Sequence, residues 1–122
     1  MQPSSPVVCV VEDDAAVRNA LKFALEVEGL AVRLFDSAAS LLGDPGLPSC
    51  RCLVVDFRLP AMDGLDLVSA LRTREITTPV IMITGRATRD LRVRAAKLGV
   101  QRVLEKPLPD GDLLRAIQAA IA

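Results

Sequence analysis

Five short, mostly apolar runs, at 7–11, 31–35, 51–56, 79–83 and 102–104, lack the regular apolar/polar alternation of a strand with one face in water. Strands of that kind are covered on both faces, the condition of a parallel sheet held between layers of helices. Between them lie stretches with helical spacing. In 15–28 the apolar positions are Val17, Leu21, Ala24 and Leu25, closed by Gly29. Asp36 or Ser37 caps a short helix running through Leu42, and Asp63 and Gly64 open a third helix with Leu65, Val68 and Leu71 on one face, ending near Arg74. Helices over 88–98 and 110–122 complete the set, the last turning Leu113, Leu114 and Ile117 inward. Strand and helix alternate five times, which predicts a single doubly wound (βα)5 α/β domain over 7–122.

Bulk properties narrow the function. The chain has 122 residues, of which 51% are apolar and 25% charged, so it carries a core and is not a disordered segment. Lys plus Arg and Asp plus Glu number 15 each, which leaves no overall field to collect nucleic acid or an anionic membrane. No apolar run approaches the roughly 18 residues of a bilayer span. Met1–Pro6 lacks the basic and apolar regions of a signal peptide and reads as a flexible lead, 1–6, on a cytoplasmic protein. Cys9, Cys50 and Cys52 lack a second pair and any histidine to make a metal site, and are expected to be reduced structural thiols.

The chemistry gathers where the apolar runs stop. Leu53–Val55 leads into Asp56, and the turn-forming Pro60, Asp63 and Gly64 follow. The first run stops at Glu12, Asp13 and Asp14, the fourth at Thr84 and Gly85, the fifth at Glu105, Lys106 and Pro107. Right-handed crossovers in the flavodoxin-like order 2-1-3-4-5 set strands 1 and 3 side by side and bring Glu12, Asp13 and Asp56 to one crevice at the carboxyl edge. Carboxylates crowded in this way raise one another's pKa unless a cation intervenes, and magnesium favours one or two carboxylates, a carbonyl and waters. With Thr84 and Lys106 at the same edge, the set suits a transferring phosphoryl group, with Asp56 as nucleophile.

The segments VVEDDAAVR (10–18), VVDFRLPAMDGLDL (54–67), PVIMITGRA (79–87) and LEKPL (104–108), in this order and at these strand ends, resemble the response-regulator receiver domain of two-component signalling, the CheY-like superfamily. Within it the chain looks most like the receivers of nitrogen-fixation and LuxR-type regulators, whose members often carry a DNA-binding helix-turn-helix. The resemblance implies a non-enzymatic signalling domain phosphorylated on Asp56. Magnesium would be held by Asp56, Asp13, Glu12 through water, and the backbone carbonyl of Arg58. Thr84 and Lys106 would bind the phosphoryl group, and the bond before Pro107 would be cis. The implied partners are a sensor histidine kinase or histidine phosphotransfer protein and a downstream protein or output domain. Helix 4, strand 5 and helix 5 would form the signalling face, open also to a second copy, with no direct nucleic-acid binding.

Three features depart from the usual pattern. Glu12 stands where an aspartate is more common, and Val103 occupies a strand-5 position where many members carry a switching Tyr or Phe. Arg58 and Arg86, two residues after Asp56 and Thr84, are placed to tune the lifetime of the phosphorylated state. The basic run Arg86, Arg89, Arg92, Arg94 and Lys97 reads as a solvated helix, or as a protein-docking face. Other functions lack their residues. There is no GxxxxGK[ST] loop for a nucleotide, and Arg58 replaces the second acid of an aspartyl phosphatase. An acidic first loop in a chain with 2% aromatics opposes a flavin carrier. The alternative that remains is a degenerate receiver acting as a constitutive protein-protein interaction module, which Val103 favours.

Overall fold

A computed structural model describes residues 7–109 and 111–122. The 1–6 lead and Asp110, expected to begin the last helix, lie outside the described residues. The elements follow the expected alternation: β1 (Val7–Val11), α1 (Ala15–Val27), β2 (Ala31–Phe35), α2 (Ala38–Leu42), a 3-10 turn at Leu47–Ser49, β3 (Cys52–Asp56), α3 (Gly64–Thr73), β4 (Val80–Thr84), α4 (Arg89–Lys97), β5 (Arg102–Glu105) and α5 (Asp112–Ile121). All strand pairs are parallel, in the order β2-β1-β3-β4-β5.

Every residue of β3 and β4 is buried, which is why these strands read as continuous apolar runs. Successive side chains feed two cores. Cys9, Val11, Leu53 and Val55 pack with Leu41, Leu65, Leu71 and Leu91 beneath α2, α3 and α4. Val8, Val10, Val54 and Ile81 pack with Leu25, Leu113 and Ile117 beneath α1 and α5. Side-chain caps start α1, α2 and α4: Asp14 accepts from Val17 N, Ser37 from Ser40 N, Thr88 from Leu91 N. Asp63 and Asp66 form a reciprocal capping box on α3. Gly29 and Gly99 follow α1 and α4 with φ of 89° and 76°, the left-handed conformation that ends a helix cheaply only at glycine.

Helix α1 forms over the expected segment, with Leu25 buried, Leu21 half-buried, and Val17 and Ala24 exposed. Arg18 fastens its start, the guanidinium donating to the Glu12 carbonyl at 2.8 Å and the Asp13 carbonyl at 3.3 Å. One expectation is corrected: not all three cysteines are reduced. The 43–51 connection carries Cys50 over β1, where it is joined to Cys9 in a disulfide with the two Cα atoms 6.3 Å apart. Cys52 points into the other core as a free thiol, and burial pushes its pKa up to about 12.

Arg72 ties α3 to its neighbours. Its Nε donates to the Leu98 carbonyl at 2.9 Å, and its Nη1 to the Ile76 and Thr78 carbonyls at 2.8 and 3.1 Å. Replacing Arg72 by Met keeps the stem and strands those acceptors, so the urea midpoint should fall, corresponding to about 1.5–3 kcal/mol, with an unchanged m-value.

Candidate functional site

The carboxyl ends of β1, β3 and β5 close on one crevice. Asp56, last in β3 and buried, is held on both oxygens. Its Oδ1 accepts from the backbone N–H of Arg58 at 2.8 Å, and its Oδ2 from Lys106 Nζ at 2.6 Å. Lys106 also pairs with Glu12 Oε1 at 3.4 Å. β5 aims this ammonium: Lys106 N donates to the Thr84 carbonyl at 2.8 Å, and the peptide to Pro107 is cis. Glu12, Asp13, Asp14, Asp56, Arg58 and Lys106 line a cavity of about 330 Å³.

The electrostatics follow from crowding two carboxylates in a place poor in water. Burial first, then the hydrogen bond and charge of Asp56, raise the Glu12 carboxyl from 4.5 to about 7, with Lys106 opposing. For Lys106, burial works against the ammonium, but Asp56 and Glu12 outweigh it and hold the pKa above the ordinary lysine value. Among the described residues no three acidic or cysteine side chains make a ready-formed metal cage. The hard oxygen donors of Glu12, Asp13 and Asp56 nevertheless fit a divalent cation that keeps most of its waters.

The remaining candidates stand nearby. Thr84, buried at the end of β4, has its hydroxyl engaged with the backbone N and O of Arg86, 3.2 Å each. It lines a neighbouring cavity of about 470 Å³ with Arg58, Gly85, Arg86 and Arg94, and not the acidic crevice. Arg58 and Gly85 border both cavities, and the Arg58 and Arg86 side chains are exposed. Val103 is half-buried in β5, and Arg86, Arg89, Arg92, Arg94 and Lys97 are all exposed along the α4 side. Sequence reasoning missed Arg18, which fastens the acidic turn, and Glu105, whose carboxylate accepts from Ala87 N at 2.7 Å. Arg18 lies one turn beyond the acidic run, a spacing that hints at such a clasp, whereas Glu105 carries no comparable signal.

α3 begins directly against the site. Gly64 N donates to the Phe57 carbonyl at 2.8 Å, and a Cβ on Gly64 would lie 2.9 Å from the Asp56 carbonyl oxygen. Gly64→Ala should therefore overpack that contact and lower stability by about 1–3 kcal/mol in chemical denaturation. Glu12 yields a pH signature. Because its folded pKa is raised, the native state retains a proton that the unfolded chain releases, so its contribution to stability falls as pH rises from 4.5 to about 7. In a metal chelator, Glu12→Gln should flatten that decline and leave the variant more stable than the wild type above pH 7, as read from urea midpoints.

With this geometry described, comparison with known proteins gives one answer. The family model for the response regulator receiver domain matches residues 8–118. The chain is 43% identical to the transcriptional regulatory protein FixJ of Azorhizobium caulinodans, over 98% of the chain and 56% of that protein. It is 37% identical to the response regulator protein TmoT of Ectopseudomonas mendocina, over 99% of the chain and 55% of that protein. It thus spans about half the length of these curated relatives. The FixJ-N crystal structure superposes with a TM-score of 0.86 at 35% identity, covering 98% of this chain and 95% of that one. The chain belongs to the response-regulator receiver domain family.

Proposed function

We propose that this receiver accepts a phosphoryl group on Asp56, in a magnesium-dependent reaction, from a histidine kinase or histidine phosphotransfer protein in the cytoplasm. The observation that carries the reading is the buried Asp56 carboxylate paired with Lys106 at 2.6 Å, in the same crevice as Glu12 and Asp13. A module that served only for constitutive docking would gain nothing from that pair, since apolar side chains fill such a volume at no desolvation cost.

Each residue has a definite task. An Asp56 oxygen attacks phosphorus, the bond from phosphorus to the donor's imidazole nitrogen breaks, and the electron pair leaves with the imidazole. The Arg58 N–H and the Lys106 ammonium hold the Asp56 carboxylate in place and aimed. Lys106 then turns from the carboxylate oxygen to the phosphoryl oxygens, a charge-assisted contact of the same kind. Asp13 and Asp56 would hold magnesium directly, Glu12 through water, with the Arg58 carbonyl as a further ligand. Bound there, the ion supplies positive charge to the developing equatorial oxygens. The Thr84 hydroxyl leaves Arg86 to donate to the phosphoryl group, and the exposed Arg58 and Arg86 guanidinia at the rim set how readily water reaches it. The downstream partner is a protein or an output domain, reached through α4, β5 and α5, and this domain does not itself contact nucleic acid.

The test is intact mass after incubation with acetyl phosphate or a phosphorylated cognate donor, with magnesium or with chelator. The wild type should gain one base-labile phosphoryl group only with magnesium, and Asp56→Asn should gain none. A wild type that no phosphorylated donor modifies would overturn the reading.

A further inference from the structure

The turn between β4 and α4 is pinned at two points. The Thr84 hydroxyl is engaged by the Arg86 backbone. One residue beyond Arg86, the Ala87 N–H is taken by Glu105 Oε2 at 2.7 Å. Ala87 immediately precedes Thr88, the N-cap of α4, so its N–H has no partner within the helix and its position fixes where α4 starts. Glu105 is the last residue of β5, opposite Thr84 in the parallel register and directly before Lys106. One short piece of β5 therefore grips the phosphoryl-binding crevice with Lys106 and the β4–α4 turn with Glu105.

We propose that Glu105 is a positioning residue. Its carboxylate holds the Gly85–Ala87 turn in the arrangement that engages the Thr84 hydroxyl with Arg86, and so sets the cost of turning that hydroxyl toward a phosphoryl group on Asp56. The inference rests on the receiver reading above and adds to it the element that governs the switching equilibrium. Turning the hydroxyl away from Arg86 breaks both 3.2 Å contacts, and the proposal is that the freed turn carries Ala87 away from Glu105. A hydrogen bond present only in the resting arrangement biases the equilibrium by its full strength, and the apparent affinity for any phosphoryl mimic changes by the same factor. For an exposed but charge-assisted bond the expected factor is about three- to tenfold. The contact also supplies a link from β5 to the turn that does not use the aromatic position, here Val103.

The experiment measures the apparent Kd for beryllofluoride in the presence of magnesium, and in the free protein the hydrogen-exchange rate of the Ala87 amide, for wild type, Glu105→Ala and Glu105→Gln. Glu105→Ala should speed exchange at Ala87 and tighten beryllofluoride binding by about three- to tenfold. Glu105→Gln, which keeps an acceptor without the charge, should fall between it and the wild type on both measures. Unchanged or weaker beryllofluoride binding in Glu105→Ala overturns the proposal. So does Glu105→Gln binding as tightly as Glu105→Ala while Ala87 stays protected, because the effect is then one of charge alone. A wild type that does not bind beryllofluoride at all overturns the reading of Asp56 as phosphoryl acceptor, and the exchange rates still report separately whether Glu105 holds the turn.

Discussion

One ammonium group holds the carboxyl edge of the sheet together. Lys106 reaches two buried carboxylates from different strands, Asp56 of β3 and Glu12 beyond β1, and without it their mutual repulsion would face little solvent screening. The fold follows from what this contact requires. β1 and β3 must be neighbours for Glu12 and Asp56 to meet, and β5 must run parallel at the same level for Lys106 to arrive. The order β2-β1-β3-β4-β5 satisfies both conditions. Burial, with Asp56 beside it, raises the Glu12 carboxyl to about 7, and the hard oxygen donors of Glu12, Asp13 and Asp56 suit an oxygen-seeking cation.

Much of this was legible in the chain, because parallel strands buried on both faces appear as unbroken apolar runs and stop where polar side chains appear. The strands and the caps at Asp14, Ser37 and Asp63 fall where local chemistry puts them. What escaped depends on contacts between distant segments. Helical spacing gives no sign that Arg18 reaches back to hold the Glu12 and Asp13 carbonyls. The Cys9–Cys50 disulfide was missed because spacing in sequence does not say that the 43–51 connection folds back over β1. Glu105 reads as one more surface charge until the fold places the Ala87 amide beside it.

The neutral chain carries a local basic stripe and a local acidic crevice. Arg86, Arg89, Arg92, Arg94 and Lys97 lie exposed on the α4 side, against Asp90 at 3.8 Å from Arg94, while the acidic residues beyond β1 gather at the crevice. α4 begins at the turn held by the Thr84 hydroxyl and the Glu105 carboxylate, so this basic surface lies a few residues from the crevice. The two cavities share Arg58 and Gly85 beside that turn.

The central claim is that the carboxylate held by Lys106 is the group that becomes phosphorylated. The most direct measurement is borohydride reduction of the protein after reaction with a phosphorylated donor, followed by peptide mapping. An acyl phosphate is reduced to the alcohol, so the account predicts homoserine at position 56 and at no other aspartate. Conversion at Asp13, Asp14 or elsewhere, or a phosphorylated protein in which residue 56 is still aspartate, would contradict it.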